Sequence, residues 1–146
     1  MKKTKIHIWE YDFTIYPRKL WVVDAEYVPY LNEYFAFCDV YDRHTENPES
    51  YKGIRDDWDS GDFAGQTCPV IYRKTGDYGV LVILSRNSFG NSETVAHESV
   101  HVADYIFQEV NMNSEDFSDG NEAYAYLVGW SAGNISSSII KSKKCK

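Results

Sequence analysis

Seven residues near the middle of the chain, Tyr78-Gly79-Val80-Leu81-Val82-Ile83-Leu84, form its most apolar run, and a helix signal follows them almost at once. A short apolar run bounded by turn residues reads as a strand. Pro69-Val70-Ile71-Tyr72 precedes it across a Thr75-Gly76-Asp77 turn, so the two segments are expected to pair as a hairpin. After the breakers Asn87-Ser88-Phe89-Gly90, Asn91 or Ser92 can cap a helix that continues to about Val110. A hairpin running straight into a long helix restricts the chain to an α+β class, with a small, mostly antiparallel sheet packed against that helix and a following one.

The rest of the chain fits around this centre. Lys5 to Tyr16 and Leu20 to Val23 read as a second hairpin. Asp24 is expected to cap a helix reaching Tyr34 to Phe37, and Asp39 to Gln66 reads as a long polar, acidic loop. A final helix is predicted from about Asn121 to Ala132, stopped by Gly133-Asn134, with the Lys141, Lys143, Lys144 and Lys146 tail frayed and solvated. At 146 residues, with no repeat or linker, residues 1–146 are read as one domain. A formal charge of −7 disfavours a phosphate-backbone partner, so nucleic acid is not expected. No run approaches the ~20 apolar residues of a membrane span, which argues against a membrane partner. The N-terminal segment lacks the unbroken apolar core of a signal peptide. Cys38, Cys68 and Cys145 show no paired spacing, which suits a reducing cytoplasm. Twelve tyrosines and four tryptophans suggest a Tyr-rich surface or cleft.

The predicted helix over Asn91–Val110 carries His97-Glu98-Ser99-Val100-His101. Histidines at i and i+4 lie one turn apart on one helical face, close enough to share a single ion. Zn²⁺ takes imidazole nitrogens readily, and a catalytic zinc keeps three protein ligands and leaves a position for water. Glu98, next to the first ligand, is placed to take a proton from that water. Ala96, Val100, Ala103, Phe107 and Val110 are expected to form the packed stripe, with His97, His101, Asp104 and Gln108 beside it lining a cleft. Asp104 is either an orienting partner for a ligand histidine or a solvated surface acid. Glu122, at the start of the last helix, is the leading candidate for a third ligand. The alternative is a cap, since Asp119-Gly120-Asn121-Glu122 matches a capping box. Glu115, Asp116 and Asp119 are further candidates. His7 and His44 read as plain surface histidines.

From Glu93 to Trp130 the chain resembles the gluzincins, the thermolysin-like metallopeptidases with HExxH on one helix and a glutamate on the next. In particular it looks like the small minigluzincin-type versions and the compact HExxH proteins encoded by bacteria and their phages. The resemblance implies a zincin-like fold, Zn²⁺ as cofactor, His97, His101 and Glu122 as ligands, and Glu98 as general base. It also implies a substrate-pairing edge strand, for which Tyr78–Leu84 is the candidate by position. The family's aspartate four residues after the ligand glutamate is Tyr126 here. The expected function is therefore a zinc-dependent peptidase or amide hydrolase acting on a peptide or protein. The alternative is a zinc-containing binding or regulatory module on the same scaffold, without general proteolytic activity. Tyr124, Tyr126 or a loop tyrosine is expected to supply any oxyanion donor.

Overall fold

A computed structural model describes residues 5–61, 63–88, 91–115 and 118–144. Of the positions singled out above, Phe89, Gly90, Asp116, Cys145 and Lys146 lie outside these. The chain folds as α+β around a five-stranded mixed sheet of order β1-β2-β5-β4-β3. The strands are β1 (Trp9–Asp12), β2 (Lys19–Asp24), β3 (Phe35–Phe37), β4 (Gly65–Tyr72) and β5 (Tyr78–Leu84), and the helices are α1 (Pro48–Ser60), α2 (Ser92–Glu109) and α3 (Glu122–Lys144). Both predicted hairpins form: β1 pairs antiparallel with β2, and β4 with β5.

The seven-residue apolar run owes its composition to its place. β5 lies between β4 and a parallel β2, so neither its edges nor its faces meet water. Val80, Val82 and Leu84 face one core with Val102, Ile106 and Phe107 of α2 and Ile135 and Ile139 of α3. Leu81 and Ile83 face a second core with Trp21, Phe35, Phe37, Leu31 and Ile54. β5 is therefore not the edge strand its position suggested; a run apolar on both faces belongs in the middle of a sheet.

The two cores correct further expectations. Residues 39–66 are not one long loop: Asn47 accepts a hydrogen bond from the Glu49 N–H, Pro48 occupies the first turn, and α1 runs to a left-handed Gly61. Ile54 is the one buried residue of α1, with Tyr51 and Trp58 half-buried beside it, so its apolar face is narrow and its polar content dominates the sequence. Asp24 does cap a helix, but a 3-10 helix over Ala25–Glu33, and Phe35–Phe37 is a strand because all three side chains are buried in the sheet. α3 passes through Gly133-Asn134 and continues to Lys144, held by the buried Ile135, Ser138 and Ile139. Lys141 lies over the Tyr11 ring, so this part of the tail is docked. The aromatics, too, serve the interior as well as the surface, with Trp21 and Phe35 fully buried.

Candidate active site

α2 starts on Asn91, whose side-chain oxygen accepts from the Glu93 and Thr94 N–H groups, and runs unbroken for eighteen residues. Its packed face is Val95, Ser99, Val102, Ala103, Ile106 and Phe107, whereas Ala96 and Val100 are exposed. The buried stripe is thus rotated from the expected one, because α3 and β4 press on α2 from different sides. This rotation turns His97 and His101 outward and Glu98 inward.

The two imidazoles meet edge to face with centroids 4.8 Å apart, and their Nε2 atoms are 3.1 Å apart. Two nitrogens bound at 2.0–2.1 Å to one tetrahedral ion would stand about 3.3 Å apart. The pair is spaced for a shared ion, and as exposed rings they reach it without a burial cost. On the far nitrogen of His101, Nδ1 lies 3.8 Å from Asp104 Oδ2. Asp104 Oδ1 accepts from the Tyr124 hydroxyl at 2.6 Å, and that hydroxyl also lies 3.3 Å from the Val100 carbonyl oxygen. Burial, and then the Asp104 carboxylate, push the Tyr124 phenol well up, so it remains a donor at neutral pH. Its hydroxyl is committed to Asp104, and Tyr126 is 75% exposed beside an apolar groove formed with Phe13 and Trp130. Neither tyrosine lines the cavity next to Glu98.

Glu98 is only 4% exposed, and its Oε2 accepts from the Thr67 hydroxyl of β4 at 2.6 Å. Its other oxygen and its Cγ come so near β4 that a Cβ on Gly65 would stand 3.0 Å from each. A cavity of about 360 Å³ opens here, lined by Ala64, Gly65, Asn91, Glu93, Thr94, His97 and Glu98. One histidine and the buried carboxylate therefore share a space of substrate size. Gly65 and Thr67 lie in a segment that reads as irregular in sequence. Their role comes from contacts about thirty residues away, which no local pattern encodes.

Glu122 stands apart from this group. The chain enters α3 through two left-handed residues, Gly120 and Asn121. Glu122 is then exposed at the first helical position. Tyr124, two residues on and roughly 200° round the helix, is the side chain that meets α2. Among the described residues no three His, Cys, Asp or Glu side chains stand close enough to hold one ion. Glu115 and Asp119 are exposed in the preceding loop, where the Glu115 N–H donates to Asn121 Oδ1. His7 packs tilted against Trp9 and His44 meets Tyr78 edge-on, both exposed and apart from the pair.

Beside the cavity, β4 has a free edge. β3 ends opposite Val70, and the Cys38 N–H donates to the Pro69 carbonyl. Past that point no described strand pairs with Gly65–Cys68 on this side. Backbone groups alternate along a strand, and the Arg73 N–H and Pro69 carbonyl both bond toward β3. The same side is therefore taken by the N–H and C=O groups of Thr67 and Gly65. A second cavity of about 240 Å³ follows this edge between α1 and Tyr105 of α2. Cys38 and Cys68 border it as buried free thiols. Burial pushes Cys38 up to about 11 and Cys68 higher, so both are protonated and unsuited to nucleophilic attack. No family model, no curated protein and no solved structure matches this chain.

Proposed function

We propose that the protein is a zinc-dependent hydrolase on a zincin-like scaffold, cleaving a peptide or amide bond, with His97 and His101 as metal ligands and Glu98 as general base. The observation that carries this reading is the 3.1 Å approach of the two Nε2 atoms on the same helix turn that sends Glu98 into the adjoining cavity. Glu122, the acid in the first turn of α3, is the proposed third ligand; it stands apart from the histidine pair and would have to turn toward it to bind. When bound, zinc would polarise the scissile carbonyl and acidify an attacking water. Glu98 takes the proton released in that attack and returns it to the departing amine. Thr67 holds the Glu98 carboxylate in place through its hydroxyl, and Asp104, held by Tyr124, orients His101. Gly65 and Thr67 offer an extended substrate backbone two pairs of hydrogen-bonding groups beside the reacting centre.

One observation favours a second reading, a zinc-containing binding module. Glu98 is nearly closed off, and one of its oxygens is already bonded. Elemental analysis of the purified protein and hydrolysis of a peptide library separate the two readings. The hydrolase reading expects close to one zinc per chain and turnover that falls about 10²–10⁴-fold in Glu98→Gln, with zinc retained. Bound zinc with no Glu98-dependent turnover supports the binding module, and zinc-free protein that takes up none on dialysis against zinc rejects both.

A further inference from the structure

We infer that the free edge of β4 binds an extended peptide carrying lysine or arginine at alternate positions, selected by the acidic wall that α1 presents across the groove. The inference rests on the proposed hydrolase site for its location and adds the chemistry of what enters. The edge supplies outward backbone groups at Gly65 and Thr67, which pair with a strand whatever its sequence. Selection must then come from the walls.

The carboxylates on these walls have no lysine or arginine among the other lining residues. Asp39, Glu49 and Asp57 line the cavity along the edge, and Glu93 and Glu98 line the one beside it. Glu49 has a cation nearby, Lys52 Nζ at 3.7 Å on the same helix. Asp39 is bonded to the Tyr41 N–H and the Asn47 amide, both uncharged. Arg43, the cation at the Tyr105 end, is occupied by Gln108 and by the Tyr105 carbonyl and ring. Gln66 adds a separate observation: its Oε1, buried against the same cavity, has no hydrogen-bond partner among the described residues. An unpaired acceptor calls for a donor, and beside carboxylates the donor best matched is a charged one, ammonium or guanidinium. Side chains of a bound strand alternate between faces, so every second residue would meet α1 and its Asp57. A low-dielectric cleft lined by one sign of charge also concentrates ligands of the other.

The test uses zinc-loaded Glu98→Gln protein, which leaves peptides uncut, and fluorescent decapeptides with Lys, Gln or Glu at alternate positions. The Lys peptide is expected to bind about tenfold more tightly than the Gln peptide, as several weak ion pairs together provide, and the Glu peptide more weakly still. Asp57→Asn, which keeps shape, should reduce the preference and Asp57→Lys abolish it. Glu33→Lys makes the same change in net charge at an exposed position lining neither cavity, and should leave the preference intact. N-methylation of alternate peptide amides should abolish binding. Equal binding of Lys and Gln peptides overturns the inference, as does an equal loss in Asp57→Lys and Glu33→Lys, which would mark general attraction to a chain of charge −7. Basic peptides bound but never cleaved by the wild type would remove the hydrolase reading and leave this one standing. Neutral peptides cleaved as fast as basic ones would do the reverse.

Discussion

His97 and Glu98 are neighbours in sequence, yet the fold treats them in opposite ways. The histidine pair is exposed, and its spacing comes from α2: a regular helix sets the i, i+4 separation, with Asp104 and, through it, Tyr124 of α3 beside His101. Glu98 is 4% exposed, and its geometry comes from the sheet, through the Thr67 hydroxyl and the missing side chain of Gly65. On the proposed reading, metal binding and proton transfer would therefore depend on different parts of the molecule. Damage to β4 should impair the base and spare the metal, whereas changes on the outer face of α2 should do the opposite.

The largest effect expected from that division is on the metal. His101→Ala removes one of two adjacent imidazoles and should lower zinc affinity by roughly a hundredfold or more, read by competition with a chromophoric chelator. Its melting temperature without metal should hardly change, because the ring is exposed and touches only His97 and Asp104 on the outer face of α2. Glu122→Gln sharpens the ligand set: a loss comparable to that of His101→Ala makes it the third ligand, and unchanged affinity removes it. Asp104→Asn comes next, with an expected loss of about 10–100-fold in zinc affinity through the orientation of His101. Tyr124→Phe, one hydrogen bond further out, should lose less than Asp104→Asn in the same titration.

How much of this was legible in the sequence follows the same division. The HExxH spacing, the Asn91 cap and the β4–β5 hairpin are set by residues within a few positions of one another, and all appear in the structure where the sequence put them. α1 was hidden because its apolar face is only Tyr51, Ile54 and Trp58, set at helical spacing in an otherwise polar and acidic segment with turn residues at both ends. The inward turn of Glu98 was hidden for a related reason: Val95 and Ser99 complete the packed stripe, but a buried serine does not read as core. Ser99 is accommodated because its hydroxyl donates to the Val95 carbonyl. The central place of β5 was legible in composition, since seven apolar residues in a row fit a strand covered on both faces. Position before α2 was the weaker guide. The placing of Glu122 depends on two left-handed residues that set how α3 leaves the loop, and an Asp-Gly-Asn string does not fix that direction.

Thr67→Val probes the sheet's side of the comparison. It keeps the shape of the side chain and removes the donor to a buried carboxylate, at a cost of about 1–3 kcal/mol in a urea unfolding titration. Thr67→Ser restores the hydroxyl and should recover most of that loss. Zinc affinity should stay within a few-fold of wild type in both, because neither change reaches the exposed ring faces. A large fall in zinc affinity in Thr67→Val would mean that Glu98 and the histidines are coupled, and the division proposed above would fail.

The smallest expected effect is at Gly65. An alanine there would place its methyl group 3.0 Å from Glu98 Cγ and Oε1 and 3.1 Å from Thr94 Cγ2, closer than ordinary contact. Backbone conformation is no obstacle, since Gly65 is a strand residue without a positive φ. The strain must be relieved by the side chains, and Glu98 has an open cavity on one side into which it can swing. Gly65→Ala should therefore cost only about 1 kcal/mol of stability, at the low end for overpacking. Even so, it moves the carboxylate by a few tenths of an ångström, and its Thr67 bond should lengthen. Hydrolysis should fall while zinc affinity holds. A variant that loses stability by several kcal/mol would show instead that Glu98 is locked from every side, a structural acid with no freedom to carry a proton.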